Sequence, residues 1–438
     1  MKKTFIVITV LTAFALSVFI VINPINKSYG YNYQKHKEKA ANILSLNILI
    51  KNALKNPDIT SSILKAEGRK EEIMVAKALP EPVAGIGLTD ANGFNNPGIG
   101  VNSMSDISLS ISQKIPFPSK LETKSRINKY FYMSLKAKTK ALKINTAYLV
   151  KESYYNLALI EKQITIVKFN KLLLNIIIKD VSQKYGTGSA SAPAYIRTML
   201  EDASLKSELF SLNKAKAKLI YLLSELTGLK SSYIKFARAV LPKIKEAEKR
   251  TNELNEKEDI KTAYKSNPEL KSLKYLAKKS NYEAAYAKES YLPDFYLKVG
   301  YGDRYSMVPV LSASVGLSLP VYFNSYQKPL INKAEKDKLS SIYDISWEKL
   351  RIIKSVSLYL KNMRLNKNNY KLYESLYVPE AKLLLKAEIA SFGVKRSSAF
   401  SLLDSFRKLI NSEFKRDIYN AKYYIDKSRL EQVIGKIQ

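Results

Sequence analysis

The feature that most limits how this chain can fold is a long run without proline or glycine, which covers residues 119–185. A helix over this run would be about 100 Å long at ~1.5 Å per residue, several times the width of an ordinary domain. Comparable runs cover residues 194–227, 330–378 and 394–434. Periodic helical runs longer than about 25 residues indicate a coiled coil, a membrane span or a helical assembly.

Apolar residues in these runs follow the spacing of packed, coiled helices. One leucine set recurs at heptad spacing and consists of Leu205, Leu212, Leu219 and Leu226. Short breaks at residues 186–188 and 392–393 divide the runs into pairs, and two long helices joined by a short turn form an antiparallel hairpin. We therefore predict long helices over residues 118–185, 193–227, 326–391 and 397–434.

Four short segments have a different period, in which aliphatic residues alternate with small polar ones. We predict strands there, over residues 83–90, 107–115, 294–302 and 310–320. Such alternation is typical of transmembrane β-strands, although one segment alone would fit a half-buried strand of a globular protein equally well. Four strands are too few to close a barrel, which begins at about eight, so we expect the chain to oligomerise. Three protomers would supply twelve strands.

The amino-acid composition excludes several classes of catalytic and metal-binding site. The chain has no cysteine and one histidine, His36, which excludes disulfide scaffolds, thiol catalysis and cysteine-ligated metals. No nucleophile–base pair and no phosphate-binding loop is visible. We therefore expect no enzyme activity, no cofactor and no metal site. A net charge of +33 is compatible with nucleic-acid binding, but the lysines are spread over the whole chain and no nucleic-acid-binding motif accompanies them, so we expect no nucleic-acid partner.

The first residues follow the order of a secretory signal. Lys2 and Lys3 precede an apolar stretch over residues 4–22, and a polar, turn-forming segment follows. We predict a signal peptide over residues 1–30, although the apolar stretch is nearly long enough to act as a membrane anchor.

The remaining residues, 31–438, read as one domain of two repeats, at about 41–245 and 255–438. In both repeats a Leu-Pro pair precedes the strand pair, at residues 79–80 and 292–293.

Three stretches of this sequence resemble the TolC-like outer membrane efflux proteins, also called outer membrane factors. Residues 112–120, SQKIPFPSK, resemble the segment that leads into the family's first long helix, in the form typical of its cobalt-zinc-cadmium resistance type. Residues 185–191 together with 203–228 resemble the first hairpin tip and its return helix. Residues 292–294 with 315–323 resemble the second strand pair.

The resemblance implies a mostly α fold with a small β part, in which a strand pair and a long coiled helical hairpin are duplicated. It further implies a homotrimer whose twelve strands form an outer-membrane β-barrel in contact with lipid, continued by a periplasmic α-barrel. The expected function is the passive exit duct of a tripartite efflux system for metal ions or drugs. Its partners would be a periplasmic adaptor and an inner-membrane pump of the RND type. The alternative is the duct of a type I protein secretion system.

The resemblance also assigns candidate sites. The tips that meet the adaptor would be formed by Tyr185, Gly186, Thr187, Gly188, Phe392, Gly393, Lys395 and Arg396. The periplasmic aperture would be lined by Ser401 and Asp404. The family often carries two aspartates at the aperture, whereas this chain has serine at the first position, so three carboxylates per trimer are expected there. Asp404 could equally be an ordinary solvated helix residue.

Overall fold

A computed structural model of the chain describes residues 44–89, 105–244, 256–304, 307–393 and 396–436. The predicted signal peptide, residues 1–30, lies outside the described residues. The helices are α1 Leu46–Ala53, α2 Pro57–Val75, α3 Pro118–Gly186, α4 Ala192–Thr227, α5 Ser231–Phe236, α6 Glu256–Ser266, α7 Pro268–Lys288, α8 Lys328–Leu372, α9 Val378–Gly393 and α10 Ala399–Ile434. The strands are β1 Val83–Thr89, β2 Asp106–Ile115, β3 Phe295–Arg304 and β4 Val310–Leu317.

The long helices form two hairpins that run side by side. Helix α3 has 69 residues and packs along α4, while α8 and α9 pack along α10. Three separate clusters of buried apolar side chains lie between these helices, and one of them includes Leu157 and Leu223, neither of which is exposed. The apolar core is therefore a series of seams between helices, as the spacing of the leucines predicts.

The four strands form one antiparallel sheet in the order β1-β2-β3-β4. The two strand pairs, one from each half of the chain, meet where β2 pairs with β3, and Val299 lies between Ile111 of β2 and Ala313 of β4. Strands β1 and β4 are the edges of the sheet and each has one neighbour among the described strands. Long helices with a small antiparallel sheet confirm the predicted fold class.

The two faces of the sheet differ in chemistry. The apolar face carries aliphatic side chains: Ile86, Leu88, Ile107, Leu109, Ile111, Leu297, Val299, Leu311, Val315 and Leu317. The small-residue face carries Gly85, Gly87, Ser108, Ser110, Ser112, Lys298, Gly300, Ser312, Ser314 and Gly316. Within the protomer the apolar face is largely uncovered, since Ile86 is 78% and Leu311 79% exposed.

The third long helix differs from the prediction of one unbroken helix over residues 326–391. A π-helical segment, Tyr373–Tyr377, separates α8 from α9, and another, Phe323–Gln327, precedes α8. Each lies just before a proline, Pro329 or Pro379. Proline has no amide hydrogen and its ring clashes with the carbonyl four residues earlier, so the widened turn accommodates it without ending the helix.

In the described part of the chain, no helix combines the length and the apolar composition that a membrane crossing requires.

Candidate functional site: the hairpin tips and the sheet–helix junction

The first hairpin tip is a tight turn closed by backbone hydrogen bonds. Helix α3 ends at Gly186, and Gly188 adopts a left-handed conformation with φ of 72°. The amides of Ser189 and Ala190 donate to the carbonyl of Lys184 at 2.7 and 2.9 Å. Glycine takes a positive φ without steric cost, so the chain can reverse within a few residues here.

Side chains reinforce the first tip. The rings of Tyr185 and Tyr195 stack across the hairpin, with centroids 5.4 Å apart and planes inclined by 7°. The hydroxyl of Thr187 donates to the carbonyl of Lys184 at 3.1 Å. The predicted tip residues of the first hairpin are thus part of one ordered turn.

Lys184 connects the first tip to the second. Its ammonium group lies 4.0 Å from the ring centroid of Phe392 and donates to the carbonyl oxygen of the same residue at 3.0 Å. It also pairs with Asp180 at 3.0 Å. The side chain is only 19% exposed, so both the cation–π contact and the hydrogen bond are partly shielded from water.

The second tip follows α9, which ends at Gly393. The amide of Arg396 donates to the carbonyl of Ser391 at 2.8 Å, and this hydrogen bond joins the two ends of the turn. Lys395, another predicted tip residue, lies outside the described residues. Phe392 faces the first tip through Lys184, so the structure brings the two predicted tips together.

The predicted aperture residues lie on the first turns of α10. Ser398 caps this helix and its hydroxyl accepts the amide of Ser401 at 3.1 Å. Asp404, one turn further, forms an ion pair with Lys408 at 2.8 Å, and the Asp404 side chain is 47% exposed. The lysine offsets part of the carboxylate's charge.

A buried glutamate anchors this same turn to the other hairpin. The carboxylate of Glu201 on α4 accepts from the Nε of Arg407 at 2.8 Å, and the Glu201 side chain is 5% exposed. Arg407 also lies within electrostatic reach of Asp404. The first turns of α10 therefore hold two carboxylates and two cations close together, and their charges balance.

A groove opens between the two tips, with a cavity volume of about 430 Å³. Small residues, mostly serine and alanine, make up most of its lining, and Lys184, Arg197, Phe392 and Phe400 add two cations and two aromatic rings. The guanidinium of Arg197 lies 5.2 Å from the ring centroid of Phe400. Such a groove can receive a side chain or a helix end from another protein, with the cations contacting acceptor atoms.

The junction of sheet and helices contains an ionic cluster that the sequence patterns did not reveal. Asp294 pairs with Lys120 at 2.7 Å and with Lys114 at 3.1 Å, and it accepts the amide of Phe117 at 3.3 Å. Burial alone would raise the pKa of Asp294, but hydrogen bonds from Lys120 and Lys114 more than offset it and hold the pKa below its ordinary value. The cluster joins stretches 112–120 and 292–294.

The same aspartate also bonds to the residue that follows β4. The amide of Asp294 donates to the hydroxyl of Ser318 at 2.7 Å, and the amide of Ser318 donates to the Asp294 carbonyl at 2.9 Å. These bonds extend the pairing of β3 and β4 by one residue. Strand β4 itself ends at Leu317 and not at the predicted residue 320, and Pro320 has no amide hydrogen for a further bond of the sheet.

The described residues contain no group of three or more histidine, aspartate or glutamate side chains that could hold a metal ion.

Comparison with known proteins shows similarity in structure and not in sequence. No family model matches the chain, and no curated protein matches it either. The outer membrane protein VceC of Vibrio cholerae is 13% identical, with 89% of this chain and 96% of VceC covered at a TM-score of 0.73. The CmeC outer membrane channel of Campylobacter jejuni is 14% identical, with 92% of this chain and 90% of CmeC covered at a TM-score of 0.75.

CusC, whose structures concern folding and transmembrane channel formation, is 15% identical, with 93% of this chain and 95% of CusC covered at 0.72. These values are close to those of the other channels, so the cobalt-zinc-cadmium type suggested by residues 112–120 is not singled out. Nearly the whole chain follows the same path as each of these proteins, and the chain therefore has the TolC-like channel fold that its motifs predict.

Proposed function

We propose that this protein is the outer-membrane exit duct of a tripartite efflux system, a homotrimer that passes small solutes passively. The observation that carries the proposal is the sheet, which has two open edges and an uncovered apolar face. Edges of this kind are normally paired or protected, because their amides and carbonyls otherwise recruit other strands. Pairing β1 of one protomer with β4 of the next would satisfy them in a closed ring of twelve strands.

The apolar face supports a lipid environment. Val315 is 72% and Leu109 57% exposed in the protomer, and aliphatic side chains alternate with small polar ones along each strand. In a closed wall of this pattern the apolar side meets lipid and the polar side meets water. The fold shared with outer-membrane channels is in keeping with this arrangement.

The hairpin tips fit a gated periplasmic end. Tyr185, Gly186, Thr187 and Gly188 with Phe392, Gly393, Lys395 and Arg396 would meet a periplasmic adaptor at the groove between the tips. Ser401 and Asp404 would line the aperture. Docking would break the Lys184 contacts between the tips and dilate the end, so that solute passes to the outside without chemistry in this chain.

The remaining assignments belong to the same proposal. Residues 1–30 would direct export, and residues 41–245 and 255–438 would be the two repeats of a single domain. An inner-membrane pump of the RND type would supply the energy. Metal ions or drugs are the expected cargo, and residues 112–120 favour the metal-resistance type.

The test is the state of the protein in cells. Outer-membrane fractions should contain trimers that survive detergent at room temperature and convert to monomers on heating. The same trimers should form water-filled channels in planar bilayers. Recovery of the chain as a monomer in the periplasmic fraction would contradict the proposal.

A further inference from the structure

Lys298 is the one long basic side chain in the middle of the small-residue face. In the register of the sheet it lies between Ser112 of β2 and Ser314 of β4. Its neighbours along β3 on the same face are Tyr296 and Gly300, and its own side chain is exposed. Serine and glycine leave the space above the sheet open, so at this level Lys298 projects furthest from the wall.

The other charged residues of this face lie at the two ends of the strands. Lys114 pairs with Asp294 at the helix end. Arg304 and Asp106, of opposite charge, lie opposite each other in the register at the far end. Among the described residues Lys298 has no ion-pair partner. Lys298 is therefore the cation at the middle level of this face that no described acidic side chain pairs with.

The position of Lys298 in the assembled protein rests on the proposed trimeric duct. With the apolar face toward lipid, the small-residue face lines the interior, and three copies of Lys298 lie at one level. Twelve strands about 4.8 Å apart, tilted by ~40°, give a wall radius of about 12 Å. A lysine stem reaches about 6 Å inward, so the axis of the opening lies about 6 Å from each ammonium group, within roughly one Debye length, ~8 Å.

We propose that the three Lys298 side chains form a cationic collar inside the strand wall that makes the duct selective for anions. An ion that permeates along the axis of the opening passes within about one Debye length of all three ammonium groups. Anionic solutes are attracted at this level, and bare divalent cations are repelled most strongly, since the repulsion grows with charge. The duct therefore suits anionic cargo better than free metal cations.

The collar is tested by reversal potentials of purified trimers in planar bilayers with asymmetric potassium chloride. The unmodified protein should show anion preference, Lys298→Gln should shift the reversal potential toward or past zero, and Lys298→Arg should keep the original value. An unchanged reversal potential in Lys298→Gln would overturn the collar. Absence of any channel in the unmodified protein would instead contradict the proposed duct, so the two failures are distinguishable.

A second experiment keeps the test valid if a substitution lowers assembly. The natural chain contains no cysteine, so Lys298→Cys introduces a single thiol. In separate experiments that each compare a channel before and after modification, a cationic thiosulfonate reagent should restore anion preference and an anionic one should produce cation preference. Modification without any change in selectivity would overturn the proposal.

Moving the charge separates its electrostatic role from its position in the strand. The double variant Lys298→Ser with Ser314→Lys returns a lysine to the same face and level, one strand away. Selectivity should return to that of the unmodified protein. Cation preference in this double variant would show that the charge at this level does not determine selectivity.

Discussion

Asp294 connects the sheet to the long helices at the scale of single residues. It joins Lys120 and the amide of Phe117, which begin α3, to the start of β3. The side chains of Asp294 and Lys120 are 15% and 13% exposed, so the pair is only weakly screened by water.

Asp294→Asn should lower the free energy of unfolding by about 1–3 kcal/mol, because hydrogen bonds to a charged group are lost. The pKa of Asp294 is lowered in the folded state, so its contribution is present above the unfolded value and disappears as pH falls through the folded value. Urea unfolding measured from neutral pH to about pH 3 should therefore show a loss of unfolding free energy in the unmodified protein, and Asp294→Asn should lack this part of the loss. The exposed Asp344, changed to Asn, serves as the control. Equal acid sensitivity in both variants would contradict this role.

Lys184 is the residue that holds the tips together. Lys184→Met should remove the hydrogen bond to Phe392 and the cation–π contact, each worth about 1 kcal/mol, and so favour the open end. Single-channel conductance of the variant should exceed that of the unmodified protein. Lys179→Met, an exposed lysine on the same helix, should leave conductance unchanged. Equal conductance in all three proteins would show that this contact does not restrain the tips.

At the scale of elements, the helices are held by buried seams. Leu174 of α3 is completely buried in the cluster near the tips. Leu174→Ala should cost about 2–5 kcal/mol through lost burial and the cavity left behind. Chemical unfolding followed by circular dichroism measures this cost. Leu172→Ala, at a position 65% exposed in the protomer, should cost far less. Similar losses of unfolding free energy in both variants would show that Leu174 does not belong to a stabilising buried seam.

Helices and strands can be predicted from this sequence because the patterns that indicate them involve neighbouring residues. Freedom from proline and glycine predicts α3, and alternation predicts β2 from Ile107 onward, since both depend on neighbouring residues alone. The π-helical segment Tyr373–Tyr377 was missed, because Pro379 signals an interruption but not how the backbone absorbs it.

Contacts between elements were much less predictable. Lys184 and Phe392 are far apart in sequence, and a lysine in the last turn of a helix usually interacts with its own carbonyls. Their contact depends on how the two hairpins lie against each other. Asp294 was visible within a family-like stretch, but its pairing with Lys120 required the sheet register that brings β2 beside β3. The tips were thus predicted as residues, and their connection was not.

At the scale of the whole molecule, the two faces of the sheet would determine which side of the proposed duct wall contacts lipid. Leu311→Arg would place a charge on the apolar face, at a cost of about 2–4 kcal/mol near the middle of a bilayer. The yield of heat-modifiable trimers in the outer membrane should fall. Ser312→Arg, the next residue on the small-residue face, should retain most of the yield. A greater loss in Ser312→Arg would reverse the assignment of the faces.

The open edges of the sheet also bear on how the protein reaches its final state. A single copy carries unpaired amides and carbonyls along β1 and β4, which lipid cannot satisfy. Protomers of the proposed trimer must therefore meet before they leave water, and the rate of assembly rises steeply with their concentration. Cells that make little of this protein would lose a larger share of it to proteolysis, so the number of working ducts would respond to synthesis almost as a threshold.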